Sequence, residues 1–137
     1  MSTTTYVLGF AFDNTGGCIL MRRKKDDWQK GLVNGIGGKV KKGESIMGAM
    51  VREFFEETDI RTEPENWVYG LSIPGNDYIL VVYRAYIDSP GERVAFPPCE
   101  EGDVFWADEL PEDAEITARW LYYFCKDHTT FGLEISR

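Results

Sequence analysis

The sequence predicts a mixed α/β layer structure, a β-sheet flanked by two helices, and three patterns carry that expectation. Short apolar and aromatic runs are bounded by turn clusters, a glycine-rich segment interrupts them, and two longer segments repeat apolar residues at helical spacing. Tyr6–Phe12 and Cys18–Met21 flank Asp13-Asn14-Thr15-Gly16-Gly17 and read as a β-hairpin. The charged segment Arg22–Lys30 leads into Gly31–Gly43, where five glycines exclude a regular helix and predict a shaped loop with short extended pieces. Ser45 is a good N-cap, and helical spacing continues from it to Phe55, with an end expected near Thr58-Asp59. Trp67–Ile73 and Tyr78–Ile87 flank the turn signal Pro74-Gly75-Asn76-Asp77 and are expected to pair antiparallel as central strands. A Pro/Gly-containing connection, Asp88–Gly102, precedes a short strand at Val104–Trp106, and Glu112–Asp127 has the length and periodicity of a closing helix. No internal repeat appears, and one domain is expected over residues 1–137.

Composition narrows the function. With 43% hydrophobic residues the chain has enough apolar material for one buried core. Its formal charge of -8 argues against a general grip on a phosphate backbone, so no nucleic acid polymer is expected as a partner. An acidic protein that handles an anionic substrate must screen its own carboxylates locally, and divalent cations are the usual means. Cys18, Cys99 and Cys125 form no CxxC or Cys/His pattern, which supports neither a disulfide framework nor structural zinc and suits a reducing compartment. The N-terminus lacks a basic stretch followed by a long apolar run, and no run approaches the roughly 20 apolar residues of a membrane span, so a cytoplasmic protein without membrane partners is expected. His128 is the only histidine and reads as a helix-end residue, which makes histidine-based catalysis unexpected.

The informative stretch runs from Gly38 to Ile60. At about 100° per residue, Glu53, Glu56 and Glu57 fall within one arc of about 100°. Met47, Met50, Val51, Phe54 and Phe55 occupy the adjoining arc, so the apolar side can hold the helix on a sheet while the acidic side faces a cleft. Like charges so placed favour hard divalent cations with oxygen ligands, Mg²⁺ first. Arg52 lies one turn before Glu56 and is expected to orient it.

The segment resembles the signature of the Nudix hydrolase family, and within it the MutT-like, 8-oxo-dGTP diphosphatase-like branch. Gly38, Glu44, Arg52, Glu53, Glu56 and Glu57 match its fixed positions, with Phe54 and Ile60 at its apolar ones. At residue frequencies near 7%, six such matches arise by chance in a chain of this size with probability on the order of 10⁻⁵. Asp59 replaces the final glycine of the pattern; Asp tolerates a left-handed helix end better than most residues, so an altered cap with preserved chemistry is expected.

The resemblance implies an α/β/α sandwich with a mixed β-sheet and Mg²⁺-dependent hydrolysis of a nucleoside diphosphate-linked substrate, with Mn²⁺ as the alternative metal. It assigns Glu53, Glu56 and Glu57 as metal ligands and catalytic carboxylates, the Gly38 carbonyl as a further ligand and Glu44 as their support. A general base comes from the helix or from a later loop, here Glu100, with Glu101 as its alternative. Arg23, from the pair Arg22-Arg23, is expected on substrate phosphate, and Lys39 either assists or faces solvent. Asn34-Gly35-Ile36-Gly37-Gly38-Lys39 is similar to a version found in enzymes acting on oxidised purine nucleoside triphosphates, which places Asn34 on a base edge or in a turn. Thr117 approximates a purine-contacting position on the last helix, and Trp28, Phe105 and Trp106 either stack a base or pack. Pro74 and Tyr78 lie at distances associated with ADP-ribose and dinucleoside polyphosphate substrates, the alternative activities; a non-catalytic nucleotide-binding module is a third reading, which three retained, mutually repulsive acids oppose. Homodimers are common in the family, although no interface signature is visible here.

Overall fold

The computed structural model describes residues 3–25, 30–88 and 95–135, with side chains through Asp127. β1 (Thr4–Phe12) and β2 (Cys18–Arg23) are joined by a turn tied by Asp13, whose Oδ1 accepts hydrogen bonds from Thr15 N (2.9 Å), Thr15 Oγ1 (2.7 Å) and Gly17 N (2.9 Å). The expected hairpin holds only beside this turn: Ala11 faces Ile19 and Phe12 faces Cys18, and then the strands diverge. The glycine-rich segment fills the gap. β3 (Val33–Asn34) pairs with β2, and β4 (Ile36–Lys39) pairs with β1, so the expected extended pieces are two short strands. Gly37 permits that closeness, because a Cβ there would run into the Val7 backbone.

β6 (Tyr78–Tyr86) runs parallel to β1, from Thr4 opposite Tyr78 to Phe12 opposite Tyr86. β5 (Trp67–Pro74) pairs antiparallel with β6, with an irregularity between Tyr69 and Leu71. It is therefore an outer strand, which corrects its expected central place. β7 (Gly102–Ala107), longer than expected, pairs antiparallel with β2. The seven-stranded mixed sheet has the order β3-β2-β1-β6-β5, with β4 on β1 and β7 on β2.

A helix covers each face, giving the α/β/α layering. Along β1, Val7 and Ala11 face α1 (Ile46–Thr58), where Met50 and Phe54 are buried, while Leu8, Phe10 and Phe12 face α2 (Ile116–Ile135), where Leu121 and Tyr122 are buried. Burying one Phe of this kind contributes roughly 1.5–3 kcal/mol, so Phe54 alone anchors α1 firmly. Trp67 closes that layer, edge-on to Phe54 at 5.1 Å and donating through Nε1 to Thr62 Oγ1 at 2.8 Å. The last helix starts later than expected and continues past Asp127, so His128 lies within it. Residues 111–115 instead form a turn, with Ala114 N donating to Pro111 O (3.1 Å) and Ala118 N to Glu115 Oε2 (3.1 Å). Among the described residues no helix is long and apolar enough to cross a membrane.

Candidate active site

The first turn and the far end of α1 fix the acidic residues. Ser45 Oγ accepts from Gly48 N at 2.9 Å, the N-cap bond read from the sequence. At the other end Asp59 adopts φ 64°, ψ 19°, and its N–H donates to Phe55 O at 2.8 Å. The left-handed cap that usually calls for glycine is thus made by Asp59. Thr58 reinforces it, donating to Phe54 O at 2.6 Å and accepting from Ile60 N at 3.1 Å.

Arg52 organises the surroundings. Its Nε donates to Glu44 Oε2 at 2.7 Å and its Nη2 to Glu44 Oε1 at 3.1 Å, a two-point grip across the loop before α1. The same guanidinium reaches Lys39 O (3.1 Å), Glu53 Oε2 (3.3 Å) and Glu56 Oε1 (3.1 Å). Its orienting bond to Glu56 is present, but Glu44 is the principal partner. Arg52, followed by the Lys41 backbone N–H, holds the Glu44 carboxyl down at about 2. Glu44 is therefore satisfied and ties residues 39–44 to the helix.

Glu57 is the opposite case. Its residue is only 4% exposed, and Oε1 is buried with no hydrogen-bond partner among the described residues. Burial, then hydrogen bonding and repulsion from Glu53, then repulsion from Glu101, push its carboxyl well above the ordinary range, against a lowering contribution from the Gly37 backbone. Gly38 in β4 lies directly on the Glu53 carboxylate; a Cβ there would overlap it. The Glu56 side chain is 51% exposed and turned to Arg52. Arg52 Nη1 thus stands between Glu53 and Glu56, Glu57 acts on Glu53 from the buried side, and no group of three His, Cys, Asp or Glu residues among the described residues is gathered to hold a metal ion. The donor set fits a hard divalent cation all the same, since it offers only oxygens and leaves one buried and unsatisfied.

The remaining candidates lie around this pair. Arg23 ends β2, opposite Gly102, and its Nη1 is 3.3 Å from Glu101 Oε2. Glu101 is half-buried, while Glu100 beside it is exposed. Arg22 is engaged elsewhere, donating to both oxygens of Asp113 (2.8 and 3.1 Å) and to Gly31 O (2.8 Å). Lys39 and Thr117 are exposed, and Asn34, half-buried at the end of β3 opposite Met21, accepts from Gly35 N at 2.8 Å. Phe105 and Trp106 pack partly buried against the α2 and α1 cores respectively, and Trp28 lies outside the described residues. An open groove of about 440 Å³ adjoins the C-terminal end of α1, lined in part by Arg61, Asn66, Tyr86 and Trp106, and neither Glu53 nor Glu57 lines it. The role of Glu101 beside Glu57 and of Lys25, 3.4 Å from Glu101, depends on the β2–β7 register, which nothing in the local sequence specifies.

A family model described as the NUDIX domain matches residues 3–124. The chain therefore belongs to the Nudix family of pyrophosphohydrolases, whose members generally use divalent metals. No curated protein sequence matches it. Among solved structures it resembles a MutT NUDIX hydrolase from Burkholderia pseudomallei, with a TM-score of 0.68 and 20% identity over 90% of this chain and 98% of that one. It also resembles the NUDIX domain of Shewanella oneidensis NrtR complexed with ADP ribose, with a TM-score of 0.73 and 15% identity over 94% of this chain and 90% of that one. Against a MutT/nudix family protein from Enterococcus faecalis the TM-score is 0.65 and the identity 22%, over 77% of this chain and 44% of that one. The chain thus spans under half the length of that last relative. At these identities the likeness speaks for the fold.

Proposed function

We propose that the protein hydrolyses a nucleoside triphosphate, with a modified or oxidised purine as the preferred class, to the monophosphate and pyrophosphate with Mg²⁺ bound. The observation that carries this reading is the buried Glu57, with an unsatisfied Oε1 beside Glu53 and against the bare backbone of Gly38. Glu53, Glu56 and Glu57 would hold the metal, with the Gly38 carbonyl as a further ligand. Bound there, Mg²⁺ would supply neutralisation of phosphate charge and a lowered pKa for a water. Mn²⁺ is the alternative in the same oxygen set.

Residues of this chain then perform the remaining work. Arg23 binds phosphate oxygens at the end of β2, and Lys39 adds charge after β4. The 100–101 loop supplies the proton acceptor, Glu100 or its neighbour Glu101, whose charge contributes to raising the Glu57 carboxyl. Asn34 gives up its bond from Gly35 N to meet a base edge, with Thr117 on α2 as the second contact. The Glu44–Arg52 grip holds the loop and helix in place throughout. We place the protein in the cytoplasm as a single domain, in keeping with three free cysteines, with a homodimer as a further expectation.

The likeness to a NUDIX domain complexed with ADP ribose favours a second reading, in which ADP-ribose or a dinucleoside polyphosphate is the substrate. Comparing kcat/KM for 8-oxo-dGTP, dGTP, dATP, ADP-ribose and a dinucleoside polyphosphate separates them. A preference of at least about 10-fold for 8-oxo-dGTP over the others supports the first reading; a preference for ADP-ribose or the dinucleoside replaces it, and absence of turnover on the whole panel overturns both.

A further inference from the structure

The end of β2 and the residues after it present four consecutive cations, Arg22, Arg23, Lys24 and Lys25, and two of them, Arg23 and Lys25, converge on one carboxylate. Glu101 Oε2 lies 3.3 Å from Arg23 Nη1, and Oε1 lies 3.4 Å from Lys25 Nζ, so each oxygen faces a different cation. Lys24 is directed to Asp103 instead, at 3.6 Å. The backbones beneath are firmly set. Arg23 N donates to Leu32 O (2.9 Å), Lys24 N donates to Glu101 O (3.1 Å), and Arg23 pairs with Gly102, which admits no side chain because a Cβ would run into Arg22 O. Any exchange at this cluster therefore needs only side-chain rotation.

We infer that Glu101 is a built-in placeholder for substrate phosphate: Arg23 and Lys25 together form a polyphosphate subsite, which the Glu101 carboxylate fills until a phosphate group displaces it. The inference rests on the reading of Arg23 as a phosphate-binding residue, and it adds Lys25 as its partner and Glu101 as the group they release. Two features make the exchange easy. A carboxylate and a phosphate both offer two neighbouring anionic oxygens to a guanidinium and an ammonium, so the incoming group meets donors already spaced for it. The Arg23, Glu101 and Lys25 side chains are 28%, 34% and 58% exposed, a range in which an ion pair is worth only about 0–1 kcal/mol. In a chain of net charge -8, the placeholder also keeps this cation pair in position between turnovers.

The test measures binding of inorganic tripolyphosphate in EDTA, without metal or turnover, by calorimetry. Glu101→Gln is expected to bind about five-fold more tightly than wild type, the consequence of removing two competing, partly exposed pairs. Arg23→Gln and Lys25→Gln should each weaken binding, and the gain should vanish in the double variants R23Q/E101Q and K25Q/E101Q. Glu100→Gln removes the same charge one residue away and should show less than half of the gain; its thermal midpoint and that of Glu101→Gln confirm folding. Equal affinity of E101Q and wild type, an equal gain in E100Q, or no binding by either E101Q or wild type overturns the inference. Tight exchange in a protein that hydrolyses no nucleotide would leave the subsite standing and remove the proposed function, whereas turnover without exchange would do the reverse.

Discussion

Glu44 and Glu57 are the same side chain within reach of one helix, and their surroundings treat them in opposite ways. Glu44 meets Arg52 with both oxygens and takes the Lys41 N–H as well, so its charge is neutralised by the fold itself. Glu57 is buried beside Glu53, with one oxygen unsatisfied. A satisfied acid holds a loop in place; an unsatisfied buried one is a standing demand for a cation or a proton. The contrast separates the acid that maintains the site from the acid that acts in it.

The largest expected effect breaks the comparison at its active end. Glu57→Gln should lower kcat by at least about 100-fold while leaving the metal-free thermal midpoint unchanged or higher, because the cost of keeping a buried carboxyl protonated is removed. Steady-state kinetics and calorimetric unfolding on the same sample check it; near-normal turnover would refute the assigned role. Gly38→Ala probes the same pair from the strand side. The methyl group must displace the Glu53 carboxylate, so a loss of about 1–3 kcal/mol in stability is expected together with weakened metal-dependent turnover, both measurable by denaturant unfolding and a Mg²⁺ titration of rate.

The pH dependence of metal-free stability sharpens the contrast. Glu44 has a folded pKa depressed to about 2, so its stabilisation is complete above the ordinary carboxylate pKa near 4.5 and is lost as pH falls from there toward 2. Glu57 is raised, so its contribution is complete below that ordinary value and is lost as pH rises toward its elevated folded pKa. Urea midpoints measured in EDTA across pH should therefore lose their acid-side fall selectively in Glu44→Gln and their upward-pH decline selectively in Glu57→Gln. Matching profiles for the two variants would end the comparison. The smallest effect lies outside the pair: Asp59→Gly should stabilise by about 0.5 kcal/mol, relieving a positive φ, with turnover unchanged.

Local chemistry is what made part of this legible in advance. The N-cap at Ser45, the buried face through Met50 and Phe54, and the left-handed end at Asp59 are all written within a few residues of where they act. The Glu44–Arg52 grip is different, because an eight-residue separation corresponds to no helical adjacency and arises only when the loop folds back. Arg23 meets Glu101 through the register of β2 on β7, and β5 lies at the sheet edge because β6 takes the place beside β1; these are long-range pairings that period-2 patterning does not rank. The late start of α2 has a local cause that apolar spacing missed, namely the Pro111–Glu115 turn preceding Ile116. Helical spacing put Glu53, Glu56 and Glu57 on one face, but it did not show that Arg52 Nη1 bridges Glu53 and the exposed Glu56.

The most direct test is a calorimetric titration of Mg²⁺ into wild type and Glu57→Gln, each with a non-hydrolysable nucleoside triphosphate analogue present. Wild type should bind saturably and gain about 2.7 kcal/mol of stability at a hundred-fold excess over Kd, while Glu57→Gln should bind at least 10-fold more weakly. Equal Mg²⁺ affinity in the two proteins, or none in wild type, would contradict the claim that this buried carboxylate is the core of a metal site.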